Sequence, residues 1–483
     1  MSIKNQAAKG VMWNAMERFS SQGIQFVLTI VIARLLSPDD YGLIAMLGIF
    51  MAIAQTMVDS GFCNALIQKK NRTETDYNTM FYFNIAAAAF IYLLLFVSAP
   101  FISSFYDQPT LVKVTRVFGL GLITSALGVI QMTRLMIALD FKKLAIATLL
   151  SVVVGGSVGV WMACHGYGVW TLVFQNLIGN LTWTIILWYS ARWRPAWEFS
   201  LSSFRSLFSF GSRLLFSNLL HTLYTNMYSL VVGKCFSAAI LGFFNRAYTL
   251  GQFPVQNFGN VVQKVLYPIQ CRYQDDNDKF NRIFITYLRV SAFLLFPLMT
   301  GLAVLSEPVI TLLLTEKWLP TASLLQVLSL AFMWLPIMQA NVSVLDAKGR
   351  SDYHMQSEIV KKVLAILILF STIPFGIKAV CWGVLAYSAV DMIVVVAYSR
   401  ILTGIGYRAQ MRILAPSLLS AVCMGGIVYV VASLVSSAGA KLALGLICGI
   451  VFYVLVTRLL NFQEYKLLRS FLRKDSGHEQ AIK

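Results

Sequence analysis

Apolar segments of about twenty residues, separated by short polar connections, recur along the whole chain. Each segment is long enough to cross about 30 Å of hydrocarbon as a helix that rises 1.5 Å per residue. The pattern therefore predicts an all-α polytopic membrane protein with about fourteen transmembrane helices. We place these spans near residues 10–34, 41–66, 79–104, 114–138, 144–163, 168–190, 207–233, 238–262, 283–305, 321–346, 355–375, 379–400, 413–435 and 440–460.

Two segments about 200 residues apart resemble each other: ARLLSPDDYG at 33–42 and GKCFSAAILG at 233–242. Three positions match between them: Arg34 with Lys234, Ser37 with Ser237, and Gly42 with Gly242. We infer a duplication of six spans, and an even number of spans gives both copies the same direction in the membrane. The expected domains are an N-lobe (1–204), a C-lobe (205–408) and an appendage of two helices with a basic tail (409–483). A central cavity between the lobes is the natural site for cargo.

Polar side chains follow one face of the first and seventh spans at intervals of three or four residues. In the first span they are Asn14, Arg18, Gln22, Gln25 and Thr29, and in the seventh they are Asn218, His221, Thr222, Thr225 and Ser229. Such residues also serve as hydrogen-bonding contacts between helices. Because the two faces match at the 200-residue offset, we expect them to line a shared lumen.

Charged positions within the spans indicate the kind of cargo, because an ionised side chain in hydrocarbon is costly and is usually kept for function. The basic candidates are Arg18, Arg213, Arg246 and Arg289, and Asp391 is the candidate internal counter-ion. The arginines can alternatively extend to the membrane surface. A cavity with more arginine than carboxylate favours an anionic guest, and guanidinium groups bind phosphate through paired hydrogen bonds. With amides suited to hydroxyl groups, the pattern predicts a phosphate that carries sugars.

Composition agrees with this assignment: 58% of residues are hydrophobic, 12% are charged and the mean hydropathy is +0.69. The net charge of +18 first suggests nucleic acid. The Lys and Arg residues are concentrated in the even-numbered connections, however, which places those connections and both termini in the cytoplasm. No nucleic-acid partner is expected. The N-terminal residues lack the features of a secretory signal, so we expect the first span to remain in the mature protein.

Metal, disulfide and nucleotide chemistry have little support. The seven cysteines form no CxxC pair and have no nearby histidine, and no GxxxxGK[ST] motif is present. We therefore expect neither a metal site nor a cofactor. Asp275 and Asp276 resemble a metal-binding sugar-transferase pair, but a solvated acidic loop is the simpler interpretation.

Five segments carry a resemblance to a known family: ARLLSPDDYGL (33–43), DSGFCNALIQKKN (59–71), FFNRAYTLGQFPVQNF (243–258), VLYPIQCRYQDD (265–276) and TEKWLPTASLLQVLSL (315–330). In this order and spacing, the chain resembles the Wzx-type flippases of the multidrug/oligosaccharidyl-lipid/polysaccharide exporter superfamily, and within them the colanic acid exporters. Arg246 falls on a motif position that is often basic in relatives, and Arg18 falls in the first helix.

The resemblance implies two six-helix lobes around a cationic cavity that opens alternately to each side of the bacterial inner membrane. It implies a lipid-linked oligosaccharide substrate, a polyprenyl diphosphate moved from the inner to the outer leaflet for surface polysaccharide assembly. The partners would be membrane lipids and polysaccharide assembly proteins. Coupling to a proton or sodium gradient is left open, because buried carboxylates are scarce.

Two alternatives remain. A drug/cation antiporter of the same superfamily would place acidic groups in the cavity, and the excess of arginine disfavours it. A membrane polysaccharide polymerase or ligase would need a sizeable external loop with catalytic residues, whereas the outward connections here are short. We therefore expect a transporter and not an enzyme.

Overall fold

The computed structural model describes residues 20–59, 62–460, 462 and 464–465. Within these ranges the secondary structure is helical and contains no strand, which confirms the all-α prediction. The helices are α1 Ser20–Leu35, α2 Pro38–Asp59, α3 Phe62–Gln68, α4 Glu74–Tyr106, α5 Thr110–Phe118, α6 Leu120–Ile137, α7 Phe141–Cys164, α8 Val169–Ala191, α9 Leu201–Cys235, α10 Ala238–Arg272, α11 Asn277–Val304, α12 Ser306–Leu314, α13 Pro320–Phe332, α14 Leu335–Ala347, α15 Ser351–Thr372, α16 Ile377–Thr403, α17 Tyr407–Ser433 and α18 Ala438–Leu459.

Each predicted span overlaps one helix or one pair of consecutive helices. In the part of the chain that the structure describes, nine helical segments are long and apolar enough to cross a membrane. The remaining predicted spans fall on α1, α8, α9, α10 and α15, which are shorter in their described part or carry more polar residues. A multi-pass helical membrane protein is thus confirmed, and the count of fourteen crossings stays a prediction.

The chain divides into two compact units, residues 1–242 and 243–483. The order of helices repeats along it: the fourth predicted span of each copy is broken into two helices, α5 and α6 at Gly119, and α13 and α14 at Met333 and Trp334. This repetition supports the inferred duplication. The lobe boundaries expected after residues 204 and 408 rest on the sequence pattern and stay predictions.

The segment around Ser37 caps α2, and the residues at the start of α10 that belong to the first unit pack against it. Asp40 accepts a hydrogen bond from the backbone N–H of Ser37 (3.0 Å), and the Ser37 hydroxyl accepts one from the backbone N–H of Asp40 (3.3 Å). This reciprocal pair caps the start of α2. At the equivalent place on α10, the Ser237 hydroxyl accepts from the backbone N–H of Ile240 (3.4 Å). The matched serines therefore have a structural role.

The matched glycines explain how closely these helices approach. A Cβ atom on Gly42 would lie 1.8 Å from the carbonyl oxygen of Ala238, and one on Gly242 would lie 2.1 Å from that of Pro38. Each glycine thus contacts the first residue of the other helix, at the position that the duplication makes equivalent. Only a residue without Cβ fits either place.

A buried amide network joins α14, α16 and α17 in the second unit. The side chains of Asn341 and Gln410 exchange hydrogen bonds of 3.0 and 2.9 Å, and the Ser399 hydroxyl donates to Asn341 Oδ1 (2.6 Å). All three residues are fully buried. Buried amides that satisfy each other in this way stabilise helix contacts in membranes.

Replacing Gln410 with leucine is expected to destabilise the second unit by about 1–3 kcal/mol, because Asn341 would lose its amide partner in an apolar surrounding. Thermal unfolding of the purified protein in detergent measures the change. The double variant N341L/Q410L should lose less stability than the sum of the single variants. A simple additive loss would show that the two amides do not act as a pair.

Candidate functional site

A cavity of about 320 Å³ lies in the first unit, and we call it the polar cavity because several polar side chains project into its mainly apolar walls. It is lined by residues of α2, α3, α6, α8 and α9: Gln55, Asp59, Cys63, Ser125, Val129, Met132, Trp183 and Asn218. Amide, hydroxyl and carboxylate groups line the same cavity as the indole ring of Trp183. This combination suits a guest that presents hydroxyl groups and apolar C–H faces.

Hydrogen bonds hold the polar groups of this cavity in place. Gln55 Nε2 donates to Asp59 Oδ1 (2.9 Å), and the Ser125 hydroxyl donates to Gln55 Oε1 (3.5 Å). At the next residue of α2, the hydroxyls of Thr56 and Thr222 lie 3.0 Å apart and join α2 to α9. The Asn218 amide is exposed at the cavity wall. Helix α2 therefore contributes two residues to the cavity wall, Gln55 and Asp59, whereas the predicted polar face of α9 contributes Asn218.

The structure distributes the predicted lumen residues unevenly. Asn14 and Arg18 lie outside the described residues, and for Arg213 only its place on α9 is described. Asn218 lines the cavity. The other seven predicted polar residues on α1 and α9 are at least partly exposed: Gln22, Gln25, Thr29, His221, Thr222, Thr225 and Ser229. Thr225 donates to the carbonyl oxygens of residues 221 and 222 on its own helix, so its hydroxyl is already partnered.

The two other predicted arginines have partners within the second unit. Arg246 is 8% exposed, and its guanidinium carbon lies 5.6 Å from the centre of the Trp318 ring. Arg289 is partly exposed, and its Nε lies 3.8 Å from Glu464 Oε1. A guanidinium beside an indole ring gains a cation–π attraction. The charges of these arginines are therefore partly engaged within the protein itself.

Asp391, the predicted internal counter-ion, lies buried on α16 beside the ammonium of Lys361 on α15. Lys361 also forms an ion pair with Glu358. The structure thus supplies Asp391 with a lysine partner. The arginine-based interpretation of the spans did not single out this lysine.

Sequence reasoning missed several groups that the structure brings together: Gln55, Ser125 and Trp183 in the cavity, and Lys361 and Glu464 as ion-pair partners. The spacing of polar residues in the sequence could have indicated some of these groups. Gln55 and Asp59 are four residues apart within a predicted span, and Lys361 lies three residues after Glu358 in another. Asp59 is the last residue of α2.

Two further cavities of the second unit share Thr300, Val304, Leu330 and Tyr429 and are mainly apolar. Their volumes are about 420 and 560 Å³.

Among the described residues, no group of three or more His, Cys, Asp or Glu side chains could hold a metal ion. Asp276 caps α11 by accepting from the backbone N–H of Lys279 (3.1 Å), and this bond lowers the pKa of Asp276. Asp276 therefore has a structural role as a helix cap.

Comparison with known proteins identifies the family. The sequence pattern of the family described as polysaccharide biosynthesis protein matches residues 31–323, which is more than half of the chain. The chain belongs to this family. Teichuronic acid biosynthesis protein TuaB of Bacillus subtilis (strain 168) is 29% identical over 399 residues, covering 81% of this chain and 82% of the relative. Lipopolysaccharide biosynthesis protein WzxC of Escherichia coli (strain K12) is 25% identical over 368 residues, covering 76% and 75%.

The fold of this member of the polysaccharide biosynthesis protein family also matches a solved structure. Lipid II flippase MurJ, in an inward closed conformation, superposes with a TM-score of 0.75 over 96% of this chain and 100% of that chain. At 14% identity this likeness concerns the fold alone. The resemblance inferred from the five sequence segments is confirmed by the family match and by the relative named WzxC.

Proposed function

We propose that the protein moves a polyprenyl-diphosphate-linked oligosaccharide from the inner to the outer leaflet of the bacterial cytoplasmic membrane. The observation that carries this proposal is the polar cavity with Gln55, Asn218 and Trp183 inside a membrane-embedded unit of a polysaccharide biosynthesis protein. Crossing hydrocarbon unaided would cost roughly 2–7 kcal/mol for each unpaired polar group of the sugars and far more for the diphosphate. A polar cavity removes most of this barrier.

The proposed roles follow from the chemistry of the side chains. Amides of Gln55 and Asn218 hydrogen-bond sugar hydroxyls, and the indole of Trp183 packs against a sugar face. The diphosphate requires a cationic partner, for which Arg18 and Arg213 are the candidates, because Arg246 and Arg289 have the internal contacts described above. The polyprenyl chain stays in lipid throughout.

Alternating access of two lobes would carry the head group between leaflets, with both termini in the cytoplasm and no enzymatic step. A proton or sodium gradient would supply the driving force, and polysaccharide assembly proteins would receive the flipped unit. These assignments are supported by the charge pattern of the connections and by relatives named for the biosynthesis of lipopolysaccharide and teichuronic acid.

Deletion of the gene tests the proposal directly. The deletion strain is expected to accumulate a lipid-linked oligosaccharide on the cytoplasmic leaflet, because synthesis continues while transfer stops. Lipid extraction with mass spectrometry identifies the glycan, and treatment of inside-out and right-side-out vesicles with a glycosidase assigns the leaflet. Absence of accumulation in a strain that still makes the lipid-linked precursor would contradict the proposal.

A cavity variant tests the site. Asn218→Leu is expected to lower glycan export about tenfold at equal membrane abundance, since losing one polar contact of ~1.4 kcal/mol corresponds to that factor. Asn176→Leu is the matched control, because Asn176 is an exposed asparagine on α8 that does not line the cavity. Equal export from both variants would remove Asn218 from the site.

Asp59 gives one specific reason to keep the drug/cation antiporter as a second candidate, because a carboxylate in the cavity is what cationic cargo requires. Efflux of a cationic dye from cells that express Asp59→Asn or the unaltered protein separates the two functions. The flippase proposal expects no dye efflux from either. Efflux that is lost in Asp59→Asn would establish the antiporter instead.

A further inference from the structure

A buried cluster of ionisable side chains joins α15 to α16 in the second unit. The ammonium of Lys361 on α15 lies 3.4 Å from Oδ1 of Asp391 on α16, and it also forms an ion pair with Glu358 of its own helix. Lys361 and Asp391 are only 5% and 8% exposed. The cluster lies outside the polar cavity of the first unit, and the transfer of sugars proposed above does not use it.

The cluster lies deep within its two helices. Lys361 follows the first residue of α15 by ten residues, and Asp391 precedes the last residue of α16 by twelve. At 1.5 Å per residue these positions are ~15 and ~18 Å from the helix ends that the charge pattern predicts to be cytoplasmic. Ionised groups at such depth are costly and are normally retained for a function.

The two carboxylates of the cluster are not equally satisfied. Glu358 has a second ammonium nearby, since its Oε2 lies 3.7 Å from Lys362 Nζ. Asp391 Oδ1, in contrast, accepts no hydrogen bond within the described ranges, although it is buried. If Asp391 is protonated, Lys361 therefore still has Glu358 as an ionic partner. If Glu358 is protonated instead, Asp391 Oδ1 still accepts no hydrogen bond. The cluster is compatible with both charge states of Asp391.

The surroundings of Asp391 isolate it from other charges. Lys361 and Glu358 are the charged groups that act on it. Among the other helices that pack against α16, α13 contains no ionisable residue. The charged residues of α14 and α17 lie near helix ends: Asp346, which is 2.7 Å from His354 of α15, and Arg408 and Arg412. The other titratable residues of α17 are Tyr407, Cys423 and Tyr429. The charge of Asp391 is therefore balanced mainly by one ammonium.

We propose that Asp391 binds the proton whose movement drives transport, with Lys361 as the resident cation that balances the ionised carboxylate. When Asp391 is ionised, Lys361 is shared between α15 and α16 and holds them together. When a proton from the aqueous phase forms an O–H bond on Asp391, Lys361 pairs with Glu358 alone and the contact between the helices loosens. Proton binding thus shifts the equilibrium from the arrangement in which Lys361 joins α15 to α16 toward the one in which it does not.

Proton binding is measurable without the glycan substrate. Infrared difference spectra of the full chain in phosphatidylethanolamine–phosphatidylglycerol vesicles, recorded between two pH values in potassium salts, are expected to show a protonated-carboxyl band. The band should vanish in Asp391→Asn and persist in Asp59→Asn. Its absence from the unaltered protein, or its persistence in Asp391→Asn, would overturn the proposal. Loss of the band when sodium replaces potassium at constant pH would also overturn it, because a metal cation would then be the ligand.

A double variant separates coupling from packing. Asp391→Asn is expected to lower glycan export at least about tenfold at equal abundance. K361M/D391L replaces the ion pair with apolar side chains, which should preserve folding while export stays lost. Normal export from the double variant would show that the pair only holds helices together.

This inference rests on the proposed function for its role in transport, but the two fail separately. A deletion strain without accumulated lipid-linked glycan would defeat the flippase proposal, and the infrared experiment would still decide whether Asp391 binds a proton.

Discussion

Replacing Gly242 with valine is expected to reduce the amount of folded protein in the membrane more than about tenfold, with a matching loss of export. The first added atom, Cβ, would lie 2.1 Å from the backbone carbonyl oxygen of Pro38. A backbone atom cannot swing aside as the tip of a side chain can, so the backbone around Pro38 and Gly242, both in the first unit, would have to shift within a closely packed interior. Quantitative immunoblotting of membranes and size-exclusion chromatography in detergent measure the loss.

Gly48→Val on α2 is the matched control, because no atom lies within 4 Å of the position that its Cβ would take. This variant should reach normal abundance, because valine is no less favourable than glycine inside a helix. Gly42→Val should behave like Gly242→Val, because the two contacts are reciprocal. Normal amounts of folded Gly242→Val protein would show that the close contact between α2 and α10 is not required.

The helices were largely predictable from the sequence because the bilayer imposes a simple length and hydropathy rule on each span. The sequence also suggested a duplication, since Ser37 and Gly42 recur as Ser237 and Gly242, and the duplication stays a prediction. The reason for the recurrence was not visible. A capping serine and a glycine at a helix contact are recognised only when the two helices are placed beside each other.

The candidate site was predictable in part, for a different physical reason. The polar face of α9 stands out by its period, and Asn218 from that face does line the cavity. Gln55 of α2 was hidden because single polar residues in an apolar run look alike whether they face a cavity or a neighbouring helix.

Ion pairs formed between separate helices were the hardest feature to predict. Charge counting identified an excess of arginine within the spans, but it could not show that Arg289 faces Glu464, 175 positions further along the chain. It also could not show that Arg246 packs on Trp318. Such partners are set by tertiary structure, so the inference of a cationic cavity from composition stays a prediction for Arg18 and Arg213.

Replacing Trp318 with alanine is expected to destabilise the second unit by about 3–5 kcal/mol, the range found when large aromatic side chains are removed from a core. Trp318 is fully buried, and its ring centre lies 6.0 Å from that of Phe243 in an edge-to-face contact. Its loss would also remove the aromatic face beneath Arg246. Thermal unfolding in detergent measures the destabilisation, and Trp318→Phe should retain most of the stability because an aromatic ring remains.

A double-mutant cycle with Arg246→Ala isolates the contribution of the cation–π contact, which is expected to be about 0.5–2 kcal/mol. If Arg246 is held mainly by Trp318, removing both side chains should cost less than the sum of the single losses by this amount. Additive losses would mean that Arg246 is positioned independently of Trp318. In that case the cation–π contact with Trp318 would not hold the Arg246 guanidinium in place, and Arg246 would again be a candidate for binding the diphosphate.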